Sequence, residues 1–191
     1  MLDSVFALPP VFDDSYYGFP IHEIREMQIM NMGNYAHGNQ PIQHMIYLYG
    51  YSGQPWKTQY WIRQVMDRLY SAHPDGYCGD EDNGQTSAWY VFSALGFYPV
   101  CPGSNQYVIG TPYFQKVTLH LEHDQRVVIQ QKGEGCYIHE MTLNGADYQH
   151  NYLDHNVLKN GAVIEFDMDK TPNEQRGIKA EDEPYSFSNQ K

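Results

Sequence analysis

The sequence has few basic residues. Its 191 residues include 12 Lys and Arg against 23 Asp and Glu, which gives a formal net charge of −11 at pH 7 with His neutral. Most of the affinity of a protein for nucleic acid comes from contacts between clustered Lys and Arg and the phosphates. The composition therefore argues against a nucleic-acid-binding protein, and we expect no nucleic acid among the partners.

Long hydrophobic runs and cysteine pairs are also missing. No segment approaches the roughly 18 apolar residues of a membrane helix, so we expect no membrane span. Cys78, Cys101 and Cys136 form no C-x-x-C pair, which excludes a zinc ribbon and a dithiol redox motif. One disulfide with a spare thiol is an alternative to three buried thiols, which we favour. The first ten residues have neither a basic segment nor a long apolar one, so we do not expect them to be a signal peptide.

Aromatic residues, in contrast, are abundant. They make up 15% of the chain and include 17 Tyr, whereas charged residues make up only 18%. Aromatic rings offer flat apolar faces with polar edges, which suits a protein that binds a neutral polar ligand such as a sugar. A packed aromatic core explains the same composition.

The apolar pattern predicts helices in the first hundred residues. The spacing i, i+3, i+4, i+7 that marks one helix face occurs in residues 42–49, 62–69 and 88–95. A weaker pattern predicts another helix from Pro20 through His22 to Met27. After residue 100 the period becomes two, in residues 117–122, 127–129 and 164–166, which predicts strands. Residues 123–125 and Leu143-Asn144-Gly145 predict turns between strands.

These patterns predict an α+β chain in three parts. Residues 1–100 form the helical part, residues 101–170 form an antiparallel, sandwich-like β region, and residues 171–191 form a loose polar tail.

The densest polar cluster is Gly79-Asp80-Glu81-Asp82-Asn83-Gly84-Gln85, directly before a predicted helix. Asp80 and Asp82 are two residues apart, so in an extended loop both side chains point to the same side. An ionised carboxylate next to a bound water is what a general base requires, and the pair could also share a cation. An acidic, solvated loop that caps the helix is the alternative. The string is not an EF-hand, because Gly84 comes one position early and the twelfth position lacks Glu.

A second cluster is His22-Glu23, followed by Arg25 and Glu26. A His–Glu pair on one helical turn can bind a hydroxylated ligand or a metal. The spacing is not that of the zinc proteases, H-E-x-x-H, because Glu26 replaces the second His. Ordinary surface ion pairs on a helix are the alternative.

A third cluster contains the neutral amides of Asn39 and Gln40, between His37-Gly38 and Pro41. Such amides can hydrogen-bond sugar hydroxyls or give carbonyl oxygens to Ca²⁺. Helix capping explains them equally well. Other catalytic signatures are missing: the chain has no G-x-S-x-G elbow, no P-loop and no dinucleotide fingerprint.

The segments around these clusters resemble the C-terminal part of glycoside hydrolase family 92, whose members are bacterial exo-acting α-mannosidases. The segments are Gly38-Asn39-Gln40-Pro41-Ile42-Gln43-His44, Gly53-Gln54-Pro55-Trp56-Lys57-Thr58-Gln59 and Gly79-Asp80-Glu81-Asp82-Asn83-Gly84-Gln85-Thr86-Ser87-Ala88-Trp89-Tyr90-Val91-Phe92. The similarity continues through Gly96-Phe97-Tyr98-Pro99-Val100 and Tyr107-Val108-Ile109-Gly110, and covers roughly residues 1–170.

The resemblance implies that residues 1–100 are the closing helices of a catalytic (α/α)6 barrel. It implies hydrolysis with inversion and a requirement for Ca²⁺. By similarity, Asp80 and Asp82 fall at the family's base positions. The resemblance also assigns a set of residues to sugar and calcium binding: His22, Glu23 and Gln40 to the mannose, and Asn39 with Gln40 to Ca²⁺.

The same resemblance implies a longer enzyme. The family's general acid belongs to a Glu-Gly-Asn-Ala-Trp-like segment that this chain lacks, so we expect the chain to be inactive alone. Its expected partners are a mannose-containing glycan, the missing N-terminal part, and further copies that associate through exposed barrel helices. The expected location is the bacterial periplasm, cell surface or medium. A non-catalytic carbohydrate-binding or assembly fragment is the alternative.

Overall fold

The structure, a computed structural model, describes residues 1–189. Its α-helices are α1 (Leu2–Ala7), α2 (His22–Met30), α3 (Pro55–Leu69), α4 (Gln85–Leu95) and α5 (His155–Lys159). Its strands are β1 (Phe97–Tyr98), β2 (Gln106–Ile109), β3 (Lys116–His120), β4 (Arg126–Gly133), β5 (Tyr137–Leu143), β6 (Ala146–Asp147), β7 (Tyr152–Asp154) and β8 (Ala162–Asp169). Short 3₁₀ segments cover Gln40–Ile42, Met45–Tyr51, Glu122–Asp124, Ala180–Asp182 and Phe187–Asn189.

The helical pattern is confirmed at three of its four places. Helices α2, α3 and α4 form where the periodicity predicts them. Residues 42–49 instead fall on two 3₁₀ segments joined by a turn at Gln43 and His44, so the prediction of a regular α-helix there is wrong. A 3₁₀ turn places residues i and i+3 on one side just as an α-helix does, and Pro41 opens the first segment. Apolar spacing alone therefore does not separate the two structures over so short a stretch.

The chain packs as two compact units. The first contains Met1–Met45 and Gln64–Tyr90, and the second contains Ile46–Arg63 together with the chain from Val91 onward. The division of the chain at residue 100, and the assignment of its helices to an (α/α)6 barrel, stay predictions.

The first unit is built around the apolar faces of its helical segments. Helix α2 ends at Asn31, whose φ of 50° is the left-handed conformation that stops helices. The side chain of Arg68 donates a 3.0 Å hydrogen bond to the carbonyl of Met30 and so holds the end of this helix. The buried apolar side chains of the unit are Ile24, Met30, Met32, Tyr35, Met45, Val65, Met66, Leu69 and Trp89.

The second unit contains two sheets. The three-stranded sheet has the order β1-β2-β7, and the five-stranded sheet has the order β3-β4-β8-β5-β6. Both predicted turns are confirmed, because β3 pairs antiparallel with β4 and β5 with β6. Asn144 and Gly145 join β5 to β6 with φ values of 52° and 80°, as the tightest hairpin turns require.

One strand pair departs from the predicted antiparallel arrangement. Strands β4 and β8 run parallel, from Val127 opposite Ala162 to Gly133 opposite Met168. The prediction of an antiparallel region is therefore wrong for the centre of this sheet. Parallel neighbours need a long crossover, which residues 134–161 supply with β5, β6, β7 and α5. Two-residue alternation is the same for both strand directions, so it could not show this.

The core of the second unit lies against one face of the five-stranded sheet. In β8, buried residues alternate with exposed or half-buried ones along the strand, which puts every second side chain into this core. The core consists of Phe97, Ile109, Val127, Ile129, Ile138, Met141, Leu153, Leu158, Ala162, Ile164, Phe166 and Met168.

The segment after residue 170 is held at three buried residues, Arg176, Gly177 and Asp182, whereas most of the other residues in 171–182 are exposed. The polar tail over residues 171–191 stays a prediction. Arg176 and Asp182 are each only 3% exposed. Asn151 donates its backbone N–H to the carbonyl of Asp182 and its side-chain amide to the carbonyl of Gly177, at 2.8 and 2.6 Å. Residues 190 and 191 of the predicted tail lie outside the described residues.

The three cysteines form no disulfide in the structure. Cys78, Cys101 and Cys136 are free thiols, each half-buried rather than fully buried.

None of the helices within residues 1–189 combines the length and hydropathy needed to cross a bilayer.

Candidate active site

The acidic loop, residues 79–84, runs into the N-terminus of α4. Asp82, Asn83 and Gly84 adopt consecutive left-handed conformations, with φ values of 50°, 56° and 96°. Asp and Asn accept this conformation more readily than most residues, and Gly accepts it freely. The local sequence therefore explains the sharp turn that the chain makes before α4.

The middle carboxylate of this loop caps the helix. One oxygen of Glu81 accepts the backbone N–H of Gly84 at 2.6 Å, and the other accepts the N–H of Ser87 at 3.3 Å. Hydrogen bonds from Ser87 and from Gly84 hold the pKa of the Glu81 carboxyl below its usual range. The capping alternative thus applies to Glu81, one of the three acidic residues.

Asp80 and Asp82 remain exposed on either side of this cap. Neither carboxylate has a hydrogen-bond or ion-pair partner within residues 1–189, in contrast to the carboxylate of Glu81. Two carboxylates held on a fixed loop and open to water can each accept a proton from a bound water or contact a cation.

The loop that contains Gln40 is hydrogen-bonded to the acidic loop. The side-chain amide of Gln40 donates to the backbone carbonyl of Asp80 at 2.7 Å. The hydroxyl of Thr86, in the first turn of α4, donates to the same carbonyl at 3.0 Å. Two donors on one carbonyl fix the backbone from which the Asp80 side chain projects.

Two glycines allow these loops to approach each other. A Cβ added to Gly79 would lie 2.6 Å from the Cα of Gly38, closer than real Cβ contacts come. A Cβ added to Gly38 would collide with a carboxylate oxygen of Glu26. Only glycine fits at both positions, and the carboxyl of Glu26 fills the adjacent space.

The sequence did not predict a role for Glu26, whose carboxylate lies beside Gly38 and Gly79. Burial raises the pKa of its carboxyl, although the nearby imidazole of His22 opposes the shift. The negative charges of Asp80 and Glu23 add to the increase. The sequence contained one signal for this position. Glu26 lies four residues after His22 and three after Glu23, so all three side chains lie on the same face of the helix.

The predicted sugar-binding pair lies at the start of α2. The imidazole Nε2 of His22 is 3.4 Å from a carboxylate oxygen of Glu23, and the two side chains are 65% and 32% exposed. Both remain accessible to a ligand. The structure therefore joins His22 to Glu23 and Gln40 to Asp80, whereas within residues 1–189 no hydrogen bond links the side chain of Asn39 to this set.

A buried imidazole fixes the segment that precedes Asn39 and Gln40. Nδ1 of His37 contacts the hydroxyl of Tyr35 and Nε2 contacts that of Tyr70, both at 2.8 Å. The ring of Trp89 packs edge-on against it, with ring centroids 4.3 Å apart. His37 is fully buried, and burial lowers its pKa to about 3. The neutral ring therefore has a structural role, because it links the segment before Asn39 to Tyr70 and Trp89.

The described residues offer an incomplete set of calcium ligands. No group of three or more His, Cys, Asp or Glu side chains within residues 1–189 could hold a metal. Ca²⁺ takes six to eight oxygen ligands in proteins. The exposed amide of Asn39 and the amide oxygen of Gln40 suit a hard cation chemically, but they supply two ligands at most. A Ca²⁺ site here would need its other ligands from water, substrate or other protein groups.

The comparisons with known proteins agree with the sequence motifs. The family model for the glycosyl hydrolase family 92 catalytic domain matches residues 1–170. The chain belongs to glycosyl hydrolase family 92. A family GH92 inverting mannosidase from Bacteroides thetaiotaomicron VPI-5482 is 57% identical, with a TM-score of 0.82. A family GH92 α-mannosidase from Bacteroides thetaiotaomicron, solved in complex with mannoimidazole, is 34% identical with a TM-score of 0.85.

This family 92 chain matches only part of each relative. It is covered to 98% and 97% by the two mannosidases but spans 26% and 24% of their lengths. A protein named as an uncharacterized secreted glycosidase from Arthroderma benhamiae is 29% identical over 141 residues, which are 70% of this chain and 18% of that protein. The mixed α and β fold and membership in a glycoside hydrolase family follow from these matches.

Proposed function

We propose that this family 92 chain is part of a Ca²⁺-dependent, inverting exo-α-mannosidase that releases terminal mannose from α-mannosides or N-glycans. The observation that supports this most is the acidic loop, in which Glu81 is used to cap α4 while Asp80 and Asp82 stay open to solvent. The 57% identity to a protein described as an inverting mannosidase supports the choice of substrate. The helices of residues 1–100 then form the closing part of the barrel.

In this proposal Asp80 or Asp82 is the general base. An inverting glycosidase needs one carboxylate to take a proton from the attacking water and a separate acid to protonate the leaving oxygen. The backbone of Asp80 is held by Gln40 and Thr86, so the base would be positioned before substrate arrives. The general acid would come from a part of the enzyme outside this sequence.

The sugar would be held by the polar side chains beside the loop. His22 and Glu23 are exposed at the N-terminus of α2 and offer a donor–acceptor pair for mannose hydroxyls. Gln40 contributes an amide whose nitrogen already binds the Asp80 carbonyl, which leaves its oxygen as the group for a ligand. We infer that Asn39 and Gln40 provide two ligands for Ca²⁺, which when bound would contact the hydroxyls of the terminal mannose.

The enzyme would act outside the cytoplasm. The name of the Arthroderma benhamiae relative as a secreted glycosidase is compatible with this location.

The proposed activity is tested by mannose release from an α-1,2-linked mannobiose, followed by proton NMR. We expect the longer enzyme to release β-mannose first, since inversion changes the anomer, and the 191-residue chain alone to release none. Chelation with EDTA should abolish release, and added Ca²⁺ should restore it. α-Mannose as the first product would contradict inversion, and full activity in EDTA would contradict the calcium requirement. Binding of mannobiose by the longer enzyme without hydrolysis would favour a non-catalytic carbohydrate-binding role.

A further inference from the structure

Thr86 occupies the junction between the two loops of the candidate site. Its side chain is fully buried in the first turn of α4. The hydroxyl donates to the carbonyl of Asp80 at 3.0 Å. It also accepts hydrogen bonds from the amides of Gln43 and Gln40, at 3.3 and 3.5 Å. A hydroxyl has one donor and two acceptor sites, so every hydrogen-bonding position of Thr86 is used.

Gln43 extends this junction through the buried interior of the unit. Its side-chain amide also donates to the carbonyl of His37 at 3.2 Å. Its side-chain oxygen accepts from the amide of Gln85 at 3.4 Å. Its backbone carbonyl accepts from the indole N–H of Trp89 at 3.1 Å. Because Gln43 is fully buried, these groups have no water to replace a lost partner, and the segment from His37 to Gln43 is held firmly against α4.

Asp80 and Asp82 depend on different parts of this arrangement. The backbone of Asp80 rests on the Thr86 hydroxyl and the Gln40 amide. Asp82 lies beyond Glu81, whose carboxylate is bound to the start of α4. Removal of the Thr86 hydroxyl would therefore leave the Asp80 carbonyl with one of its two donors, the amide of Gln40, and would loosen the backbone of Asp80 while the cap at Glu81 stays intact.

We propose that Thr86 is a positioning residue, which sets the placement of the Asp80 carboxylate relative to Gln40 in the catalytic site. This inference rests on the proposed mannosidase function and deepens it, because it singles out Asp80 as the carboxylate whose placement the buried network controls. Thr86 itself touches no reacting atom and acts through Asp80.

Thr86→Val tests the hydroxyl at almost constant volume. In the longer enzyme we expect kcat for mannobiose to fall about 10- to 100-fold, because small displacements of a catalytic group are costly. KM should change less than kcat, since the variant leaves His22 and Glu23 unchanged and Gln40 keeps its 2.7 Å hydrogen bond to the Asp80 carbonyl. Thr86→Ser keeps the hydroxyl and should recover most of kcat. If Thr86→Val fails to fold, Thr86→Ala and Thr86→Ser form a second pair that differs only in this hydroxyl.

Thr111→Val is the matched control. Thr111 is also fully buried, and its hydroxyl also donates to a backbone carbonyl, that of Cys136 at 2.8 Å. It belongs to the second unit. We expect a lower melting temperature with kcat unchanged. A merely structural role of Thr86 would give the same result in Thr86→Val.

The double variant Asp80→Asn, Thr86→Val shows whether Thr86 acts through Asp80. If it does, the double variant should be no slower than Asp80→Asn alone. A kcat for Thr86→Val within about threefold of the wild type would overturn the proposal, as would a full additional loss in the Asp80→Asn background. A wild-type enzyme that releases no mannose from any α-mannoside would overturn the proposed function and this inference together, whereas an active wild type with an unaffected Thr86→Val would overturn the inference alone.

Discussion

The buried imidazole of His37 makes the stability of the protein depend on pH in a defined range. His37 is fully buried between Tyr35, Tyr70 and Trp89, and burial lowers its pKa to about 3 from a usual value of 6.5. Below pH 6.5 the unfolded chain binds a proton at this position while the folded chain does not. The free energy of unfolding therefore decreases as the pH falls from 6.5 towards 3. Above pH 6.5 the imidazole is neutral in both states, and His37 causes no such decrease.

The size of this effect follows from the difference in pKa. Each pH unit below 6.5 lowers the free energy of unfolding by about 1.4 kcal/mol, so the loss between pH 7.5 and pH 5 is about 2 kcal/mol. The carboxyls with lowered pKa lose their contribution only as the pH falls below their usual values of 3.8 and 4.5. Glu26, whose pKa is raised, acts in the opposite direction. Its contribution cancels when the wild type is compared with a His37 variant.

Urea unfolding followed by tryptophan fluorescence at pH 7.5, 6 and 5 measures this difference. The free-energy gap between the wild type and His37→Gln should shrink by about 2 kcal/mol from pH 7.5 to pH 5. His120→Gln is the matched control, because His120 is exposed and its imidazole meets water in both states. If the gap stays constant across this range, His37 takes up a proton as readily in the folded state as in the unfolded one, and its burial does not lower its pKa.

Two further variants test the packing on which the site and the β region depend. Gly79→Ala should lower the free energy of unfolding by about 1–3 kcal/mol and reduce mannose release, because the added Cβ would collide with the Cα of Gly38. Gly50→Ala should be tolerated, because the atom nearest to its added Cβ, Cγ1 of Val108, is 3.4 Å away. Arg176→Met should lower the free energy of unfolding by about 1–3 kcal/mol, because it removes a buried side chain that donates to two backbone carbonyls, those of Tyr148 and His150. The exposed Arg126→Met should cost less than about 0.5 kcal/mol, and equal effects of the two arginine variants would contradict the burial argument.

Local sequence chemistry predicted the parts of the fold that depend on near neighbours. Helices α3 and α4 follow from their apolar spacing, and the turn at Asn144-Gly145 follows from residues that tolerate positive φ. The parallel pairing of β4 and β8 could not be predicted in this way, because it depends on a crossover of 28 residues, 134–161, and not on the strands themselves.

In the candidate site, too, the sequence predicted the local motifs but not the contacts between distant residues. The acidic loop and the His–Glu pair were visible as motifs, and three acidic residues in a row looked equivalent. Only the structure separates Glu81, which caps α4, from Asp80 and Asp82, which stay open to solvent. The contacts of Thr86 with Gln40 and Gln43 join residues 46 and 43 positions apart, and no periodicity in the sequence indicates such contacts.

We propose above that the acidic loop supplies the general base of an α-mannosidase. The most direct measurement is kcat for mannobiose in the longer enzyme with Asp80→Asn, Asp82→Asn and Glu81→Gln. We expect kcat to fall by about 10²- to 10⁴-fold in at least one of the two aspartate variants, which is the usual contribution of a general base. We also expect Glu81→Gln to lower the melting temperature and to change kcat far less. Turnover within about threefold of the wild type in both aspartate variants would contradict the proposal.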